Sequence, residues 1–172
     1  MKFSFLKLLL ACSFLVVVFS YATCKYSTRD ASPIPAEVKT FKVNYFENKA
    51  RYVNPTLTPQ LTERLRQRII GQTRLRQTNS DDAHYDISGY LTDYSVTTTG
   101  VANQNASTNR LNVSFHVVFK NTLNQKNDFE ADITNNYDFS AQKTLQQAES
   151  DLANVILKNL VDGIFNRIFS NW

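Results

Sequence analysis

Apolar side chains recur at every second position of one short segment, at Leu111, Val113, Phe115, Val117 and Phe119. The positions beside them hold polar residues, namely Arg110, Asn112, Ser114 and His116. Because successive side chains of a strand point to opposite faces, this spacing predicts a strand with one buried face and one polar face. Any fold built on this strand has to cover its apolar face with other parts of the chain.

Two flanking segments have the same periodicity. Upstream, the alternation over residues 85–91 resumes out of phase at Tyr94, which predicts a β-bulge near Asp93. Downstream, a polar turn leads to a second alternating segment over residues 129–139. The three segments together predict an antiparallel meander. Residues 97–108 are polar, uncharged and without a period, so they predict a mobile hairpin loop.

Two more strands are predicted before the meander. Residues 40–46 alternate, which places Phe41, Val43 and Tyr45 on one buried face. Residues 74–77 predict a short strand.

Two segments have helical rather than strand periodicity. Residues 57–69 carry a large apolar residue at every fourth position, with Thr58 as the candidate N-cap and Pro59 at the first helical position. The opposite face of this helix is basic, and a solvated face is a commoner explanation than a phosphate site. The second helix covers residues 145–168, with Ser140 as its candidate cap.

The order of these elements predicts an α/β (α+β) two-layer sandwich, with a mixed four- to five-stranded sheet and two helices packed on one face. The first helix makes a crossover between parallel neighbouring strands. Two helices can cover only one face of the sheet, so the other face stays open. That face is expected to carry hydrogen-bonding groups with little net charge, namely Lys42, Asn44, Ser88, Tyr90, Thr92, Asn112, Ser114 and His116.

The N-terminus has the pattern of an export signal. Lys2 and Lys7 precede an apolar run over residues 8–19, which is too short to span a bilayer. Residues 1–23 are therefore interpreted as a signal peptide, and Cys24 behind Ala22 and Thr23 is the candidate lipidation site. Cleavage by the ordinary signal peptidase, which would leave a free thiol at Cys24, is the alternative.

Removal of the signal peptide leaves 149 of the 172 residues, which is one ordinary domain. Residues 24–37 are interpreted as a lipidated tether and residues 38–172 as the folded domain. The mature chain keeps 17 of the 19 basic residues and all 15 acidic ones, so its net charge of +2 gives no support for a nucleic-acid partner. It retains one cysteine, and no internal disulfide is expected.

No catalytic constellation is apparent in the sequence. The two histidines are His84 and His116, and the second lies on the polar face of a strand without a fixed nucleophile, which favours a solvated histidine. Residues 80–86 lack the spacing of a calcium or zinc site and predict a turn into a strand. We therefore expect no enzyme activity, no metal and no cofactor.

Several short segments occur in an order that resembles one known family. They are Cys24-Lys25-Tyr26-Ser27, Val38-Lys39-Thr40-Phe41-Lys42-Val43, Phe46-Glu47-Asn48, Val53-Asn54-Pro55, Leu61-Thr62-Glu63-Arg64-Leu65, Asp86-Ile87-Ser88-Gly89-Tyr90-Leu91-Thr92-Asp93-Tyr94, Asn109-Arg110-Leu111-Asn112-Val113 and Ile164-Phe165-Asn166. This series resembles the lipopolysaccharide-assembly lipoprotein family LptE over about residues 24–170.

The resemblance implies a non-enzymatic lipoprotein of the outer membrane, anchored by lipid on its periplasmic side. It implies that the protein plugs and assists the assembly of the β-barrel LptD, and that the pair inserts lipopolysaccharide into the outer leaflet. Relatives bind lipopolysaccharide through basic residues near strand ends, and Arg110 is the candidate here. Two alternatives stay open: an envelope lipoprotein that binds a ligand or glycan on the open sheet face, and a periplasmic hydrolase.

Overall fold

A computed structural model describes residues 34–102 and 105–170. The predicted signal peptide, Cys24 and residues 25–33 of the predicted tether lie outside the described residues. The elements in chain order are β1 (Thr40–Val43), β2 (Glu47–Asn48), α1 (Leu57–Gln72), β3 (Arg76–Gln77), β4 (Tyr85–Ala102), β5 (Asn105–Asn121), a 3₁₀ turn (Gln125–Asn127), β6 (Phe129–Ser140) and α2 (Leu145–Phe169).

The six strands form one mixed sheet with the order β3-β1-β4-β5-β6, and β2 pairs separately with β4. β1 is parallel to both β3 and β4, so α1 connects parallel neighbours as predicted. β4, β5 and β6 form the predicted antiparallel meander. The sheet has one strand more than the predicted maximum, because the connection after β1 contains the two-residue strand β2.

The apolar face of β5 is the centre of the core. All five of its alternating apolar side chains are 0% exposed, and burying each one stabilises the fold by about 1.5–3 kcal/mol. Phe46 meets Phe115 edge to face, with ring centroids 4.8 Å apart. Both helices contribute buried side chains to the same cluster, for example Leu61 from α1 and Ile164 from α2. The two helices cover one face of the sheet, which confirms the predicted two-layer fold.

The predicted bulge is present on β4. The pairing register with β5 shifts between Leu91 and Asp93. Thr92 is the extra residue, and it lets Leu91 and Tyr94 both point into the core, where they are 0% and 2% exposed.

The loop predicted over residues 97–108 was wrong. β4 continues to Ala102 and β5 begins at Asn105, so most of this segment lies in the two arms of a long hairpin. Thr108 also pairs with Ser140 of β6. Threonine and valine favour strands because their Cβ atoms are branched. This preference does not produce an alternating apolar pattern, so the periodicity of the sequence did not indicate the strands.

The predicted inward position of Tyr45 was also wrong. β1 ends at Val43, and the Tyr45 side chain is 79% exposed. Phe46 takes the core position instead and is 6% exposed. The strand ends three residues before the end of the predicted alternation, at Val43 rather than at residue 46, so the side chains after it change faces.

Both predicted helix caps were displaced. α1 begins after Thr56 rather than Thr58, and the side-chain oxygen of Asn54 accepts a hydrogen bond from the backbone N–H of Leu57 at 3.2 Å. α2 begins after Thr144, which forms a capping box with Gln147. Ser140 instead ends β6.

Two glycines give a matched test of this packing. A Cβ atom at Gly89 would lie 2.7 Å from the Phe115 ring and would also clash with the carbonyl of His116, whereas a Cβ at Gly71 meets nothing within 4 Å. We expect Gly89→Ala to lower the free energy of unfolding by about 1–3 kcal/mol. Gly71→Ala in α1 should raise it by about 0.5–1 kcal/mol. Urea denaturation measures both, and equal effects would contradict the packing described.

Candidate functional site: the open face of the sheet

The face of the sheet opposite the helices, here called the open face, carries the expected polar side chains. All eight predicted residues are partly or fully exposed there. β6 adds a further row that the sequence analysis did not assign, consisting of Glu130, Asp132, Thr134, Asn136 and Asp138. The strict alternation along β6 is the signal that could have placed them.

The centre of the open face is uncharged. The hydroxyl groups of Ser114 and Thr134 lie 3.0 Å apart across β5 and β6, at hydrogen-bonding distance. In the next row Asn112 lies opposite Asn136, and its amide donates to the Thr97 hydroxyl at 3.3 Å. These short side chains present donors and acceptors to whatever contacts the face.

Arg110 lies at the hairpin end of the open face and is held by a carboxylate. Its Nε and Nη2 atoms donate to the two oxygens of Asp138 at 2.6 and 3.0 Å. This bidentate hydrogen bonding lowers the pKa of Asp138 and raises the pKa of Arg110. The candidate ligand-binding cation is therefore already paired, although both side chains remain exposed.

His116 is bound by two carboxylates, which differs from the solvated histidine expected. Its Nδ1 lies 2.7 Å from Asp132 and its Nε2 lies 3.2 Å from Glu130, and its side chain is 18% exposed. A neutral imidazole has only one N–H, so only the doubly protonated ring can donate to both acceptors. The hydrogen bond to Asp132 is the largest cause of the raised pKa of His116, and desolvation opposes it.

Lysines lie at the β1 and β2 side of the open face. Lys42 forms an ion pair with Asp81 at 2.6 Å. The ammonium of Lys49 lies 3.9 Å from the centroid of the Tyr90 ring, a cation–π contact that covers this aromatic side chain. The charges on the open face are thus largely neutralised by neighbouring groups.

His84 is not near these groups. Its Nδ1 accepts a hydrogen bond from the backbone N–H of Lys39 at 3.0 Å, which fixes the turn before β4. In the part of the chain that the structure describes, no group of three histidine, cysteine, aspartate or glutamate side chains could hold a metal ion.

The basic residues of α1 connect elements of the domain. Arg66 donates to the carbonyl of Val43 at 2.7 Å, and Arg68 forms an ion pair with Asp162 of α2 at 3.2 Å. Arg64 donates to Asn154, also on α2, at 2.9 Å. These contacts account for the basic helix face without a phosphate ligand.

The fold and this surface define a class of protein: a two-layer α+β domain with helices on one face of the sheet and a polar, mostly uncharged surface on the other. No helix within residues 34–102 and 105–170 combines the length and apolar character needed to cross a bilayer.

Residues 38–168 match the model of the lipopolysaccharide-assembly family LptE. This match covers most of the chain, and the protein belongs to the LptE family. The family consists of non-enzymatic, outer-membrane-associated lipoproteins of lipopolysaccharide assembly. A search of curated protein sequences found no match.

Solved structures with the same fold include two bacterial lipoproteins. A minor lipoprotein from Acinetobacter baumannii has a TM-score of 0.51 and 17% identity, covering 76% of this chain and 92% of that one. The uncharacterized lipoprotein B from Nitrosomonas europaea has a TM-score of 0.52 and 9% identity, covering 77% of this chain and 81% of that one. At these identities the likeness concerns the fold.

The two hydrogen bonds of His116 predict how stability depends on pH. Because its pKa is raised in the folded state, its stabilising contribution is complete below the unfolded value of about 6.5 and is lost as pH rises through the folded value. We therefore expect the melting-temperature difference between wild type and His116→Gln to be larger near pH 6 than near pH 9.

The control is Asp132→Asn, which removes the closer carboxylate. In this variant the same His116→Gln substitution should show a much weaker pH dependence. A difference in melting temperature that is constant over this pH range would show that His116 is not held as the imidazolium.

Proposed function

We propose that this protein plugs an LptD-type outer-membrane β-barrel, assists the assembly of that barrel, and takes part with it in lipopolysaccharide transport to the outer leaflet. Its membership of the LptE family supports the process and the partner. The observation that carries the finer proposal is the open face, which is a broad polar surface on one side of a sheet whose other side is closed by helices.

The chemistry of the open face suits the interior of a barrel. The lumen-facing side chains of outer-membrane barrels are polar, because the apolar ones alternate toward lipid. Hydroxyl and amide groups such as Ser114, Thr134 and Asn112 can exchange hydrogen bonds with such a wall. Because the face has few uncompensated charges, docking does not require burial of an unpaired ion.

The lipid anchor is part of the proposal. Acylation of Cys24 would hold the protein at the inner leaflet of the outer membrane, with about 0.8 kcal/mol for each buried methylene group. Ile34, where the described structure begins, lies ten positions after Cys24. An extended chain of that length reaches about 35 Å, which leaves the domain free to meet a barrel in the same membrane.

Contact with lipopolysaccharide is proposed for Arg110, at the hairpin end of the open face. The guanidinium is exposed and its fork geometry suits phosphate. Asp138 already occupies this fork, so an anionic ligand would have to compete with the carboxylate. Asp138 therefore lowers the affinity of the proposed site for an anionic ligand.

Affinity purification from solubilised membranes tests the barrel partnership. We expect the wild-type protein to recover a β-barrel of the LptD type. Ser114→Arg places a large cation at the centre of the open face and should strongly reduce recovery of the barrel. Ser150→Arg, at an exposed position on α2, is the matched control and should leave recovery unchanged.

An absent barrel in the wild-type purification would contradict the proposal. If a glycan or small ligand then raised the melting temperature of the protein, the alternative of a ligand-binding envelope lipoprotein would replace it.

The lipid anchor predicts the behaviour of Cys24→Ala. The domain should keep its melting temperature, because Cys24 lies before the predicted domain of residues 38–172, but the protein should move from the membrane fraction to the soluble fraction. The mass of the mature N-terminus, measured by mass spectrometry, should include acyl chains in the wild type. An unmodified Cys24 thiol would rule out this anchor.

Two variants separate ligand binding by Arg110 from a structural role. Loss of a charge-assisted hydrogen bond in Arg110→Gln should weaken lipopolysaccharide binding by about tenfold. Asp138→Asn releases the guanidinium from its negative partner and should bind at least as tightly as wild type. Binding to purified lipopolysaccharide measures both. Unchanged affinity in Arg110→Gln would exclude this residue as a contact.

A further inference from the structure

A partly buried carboxylate, Glu149 of α2, has only neutral hydrogen-bond partners. One of its oxygens accepts a hydrogen bond from the Asn54 amide at 3.0 Å, and the other accepts one from the Tyr52 hydroxyl at 3.4 Å. Tyr52 in turn stacks on Tyr94 of β4, with ring centroids 5.5 Å apart. Burial raises the pKa of Tyr94, and hydrogen bonding to Glu149 raises it further. The carboxylate therefore lies at the hydroxyl ends of both tyrosines.

The charge of Glu149 is not compensated inside the domain. Among the residues that the structure describes, Glu149 forms no ion pair. Lys143, just before α2, pairs instead with Asp151 at 2.7 Å. Because Glu149 is partly buried, solvent ions screen its charge less than that of a fully exposed carboxylate. A basic side chain would satisfy this carboxylate, and the face of the Tyr52 ring beside it also attracts a cation.

This carboxylate lies beside a strand edge that is only partly paired. β1 and β2 run along the first half of β4, and the last backbone hydrogen bond on that side joins the N–H of Lys49 to the carbonyl of Leu91 at 2.9 Å. From Asp93 to Thr98, within the described ranges, β4 pairs only with β5. This segment, here called the free edge, has outer N–H and C=O groups that another strand can bind.

The free edge has little of the usual protection against a further strand. Residues 93–98 contain one charge, at Asp93, and neither lysine nor proline, and four of the six are tyrosine, valine or threonine. The edge strand at the other side of the sheet is β6, which carries Glu130, Asp132 and Asp138 along its open-face side. The free edge of β4 is therefore the edge better suited to accept an extended segment.

Exposed apolar groups lie between the free edge and Glu149. Val96 is 39% exposed and is on the helix-covered side of β4, as is Tyr94. Tyr52 is 38% exposed and the adjacent Val53 is 59% exposed. In a strand added at the free edge, every second side chain would point to this same side. Those side chains would cover Val96 and Tyr52 and extend toward the carboxylate.

We propose that the free edge of β4 binds an extended segment of the barrel partner, and that a lysine or arginine of this segment pairs with Glu149 beside the Tyr52 ring. This inference rests on the proposed function. The wall of a closed barrel has no unpaired strand edge, so the segment belongs to a part of the barrel chain outside that wall. Backbone hydrogen bonds supply affinity, and Glu149 selects a basic side chain.

Photo-cross-linking in intact cells that express the full-length chain tests the proposal. A photo-cross-linking amino acid replaces Val96 at the free edge or, in a separate strain, Asn112 on the open face. We expect a barrel adduct from both positions. Mass spectrometry of the adduct from position 96 should map the cross-link to a segment outside the barrel wall with a lysine or arginine nearby.

Two charge-removing variants test the role of Glu149. Glu149→Gln keeps the size of the side chain and an acceptor for Tyr52 and Asn54, but it removes the charge. Loss of a charge-assisted hydrogen bond should lower the yield of the adduct from position 96 about tenfold and leave the adduct from position 112 unchanged. Asp82→Asn, which neutralises an exposed carboxylate in the turn before β4, is the matched control and should change neither yield.

Three results would overturn the edge proposal while leaving the barrel partnership standing, given a barrel adduct from position 112. They are the lack of a barrel adduct from position 96, a cross-linked segment without a basic residue, and a yield from position 96 that is unchanged in Glu149→Gln. The lack of a barrel adduct from either position would contradict the proposed function as well. An adduct of position 96 with a different protein would also overturn the edge proposal.

Discussion

The apolar face of β5 lies at the centre of the sheet, between β4 on one side and β6 on the other. Its five alternating side chains are fully buried, and α1 and α2 both pack on this side. Because the pleat sends neighbouring residues to the other side, the same strand also determines the polar character of the open face. A shift of β5 by one residue would exchange the two faces and expose the core.

The parts of the fold that could be predicted are those with a strong period. The four-residue spacing in α1 indicates a helix, and the alternation in β5 indicates a strand. The change of phase before Tyr94 indicates a β-bulge. The hairpin arms could not be found in this way, since the pairing of Thr97 and Thr98 depends on the partner strand rather than on a buried face. Caps were missed because several residues near each helix start can act as one.

The sequence predicted which side chains of β1, β4 and β5 lie on the open face, but it did not predict their hydrogen-bond partners. Alternation places His116 and Arg110 on the polar side of β5, yet their partners come from β6, and a cross-strand register is not visible in one strand. The register brings Asp132 to His116 and Asp138 to Arg110. Both side chains are therefore paired with carboxylates within the sheet, which leaves a surface suited to hydrogen bonding. LptE family membership and this surface together support docking in a polar barrel.

The central claim is that the open face, and not the helical layer, contacts the barrel. A photo-cross-linking amino acid at Asn112 on the open face, compared with one at Val155 on the exposed side of α2, tests it most directly. After irradiation of intact cells, the account predicts an adduct with an outer-membrane β-barrel from position 112 and none from position 155. An adduct with the barrel from position 155, with none from position 112, would contradict it.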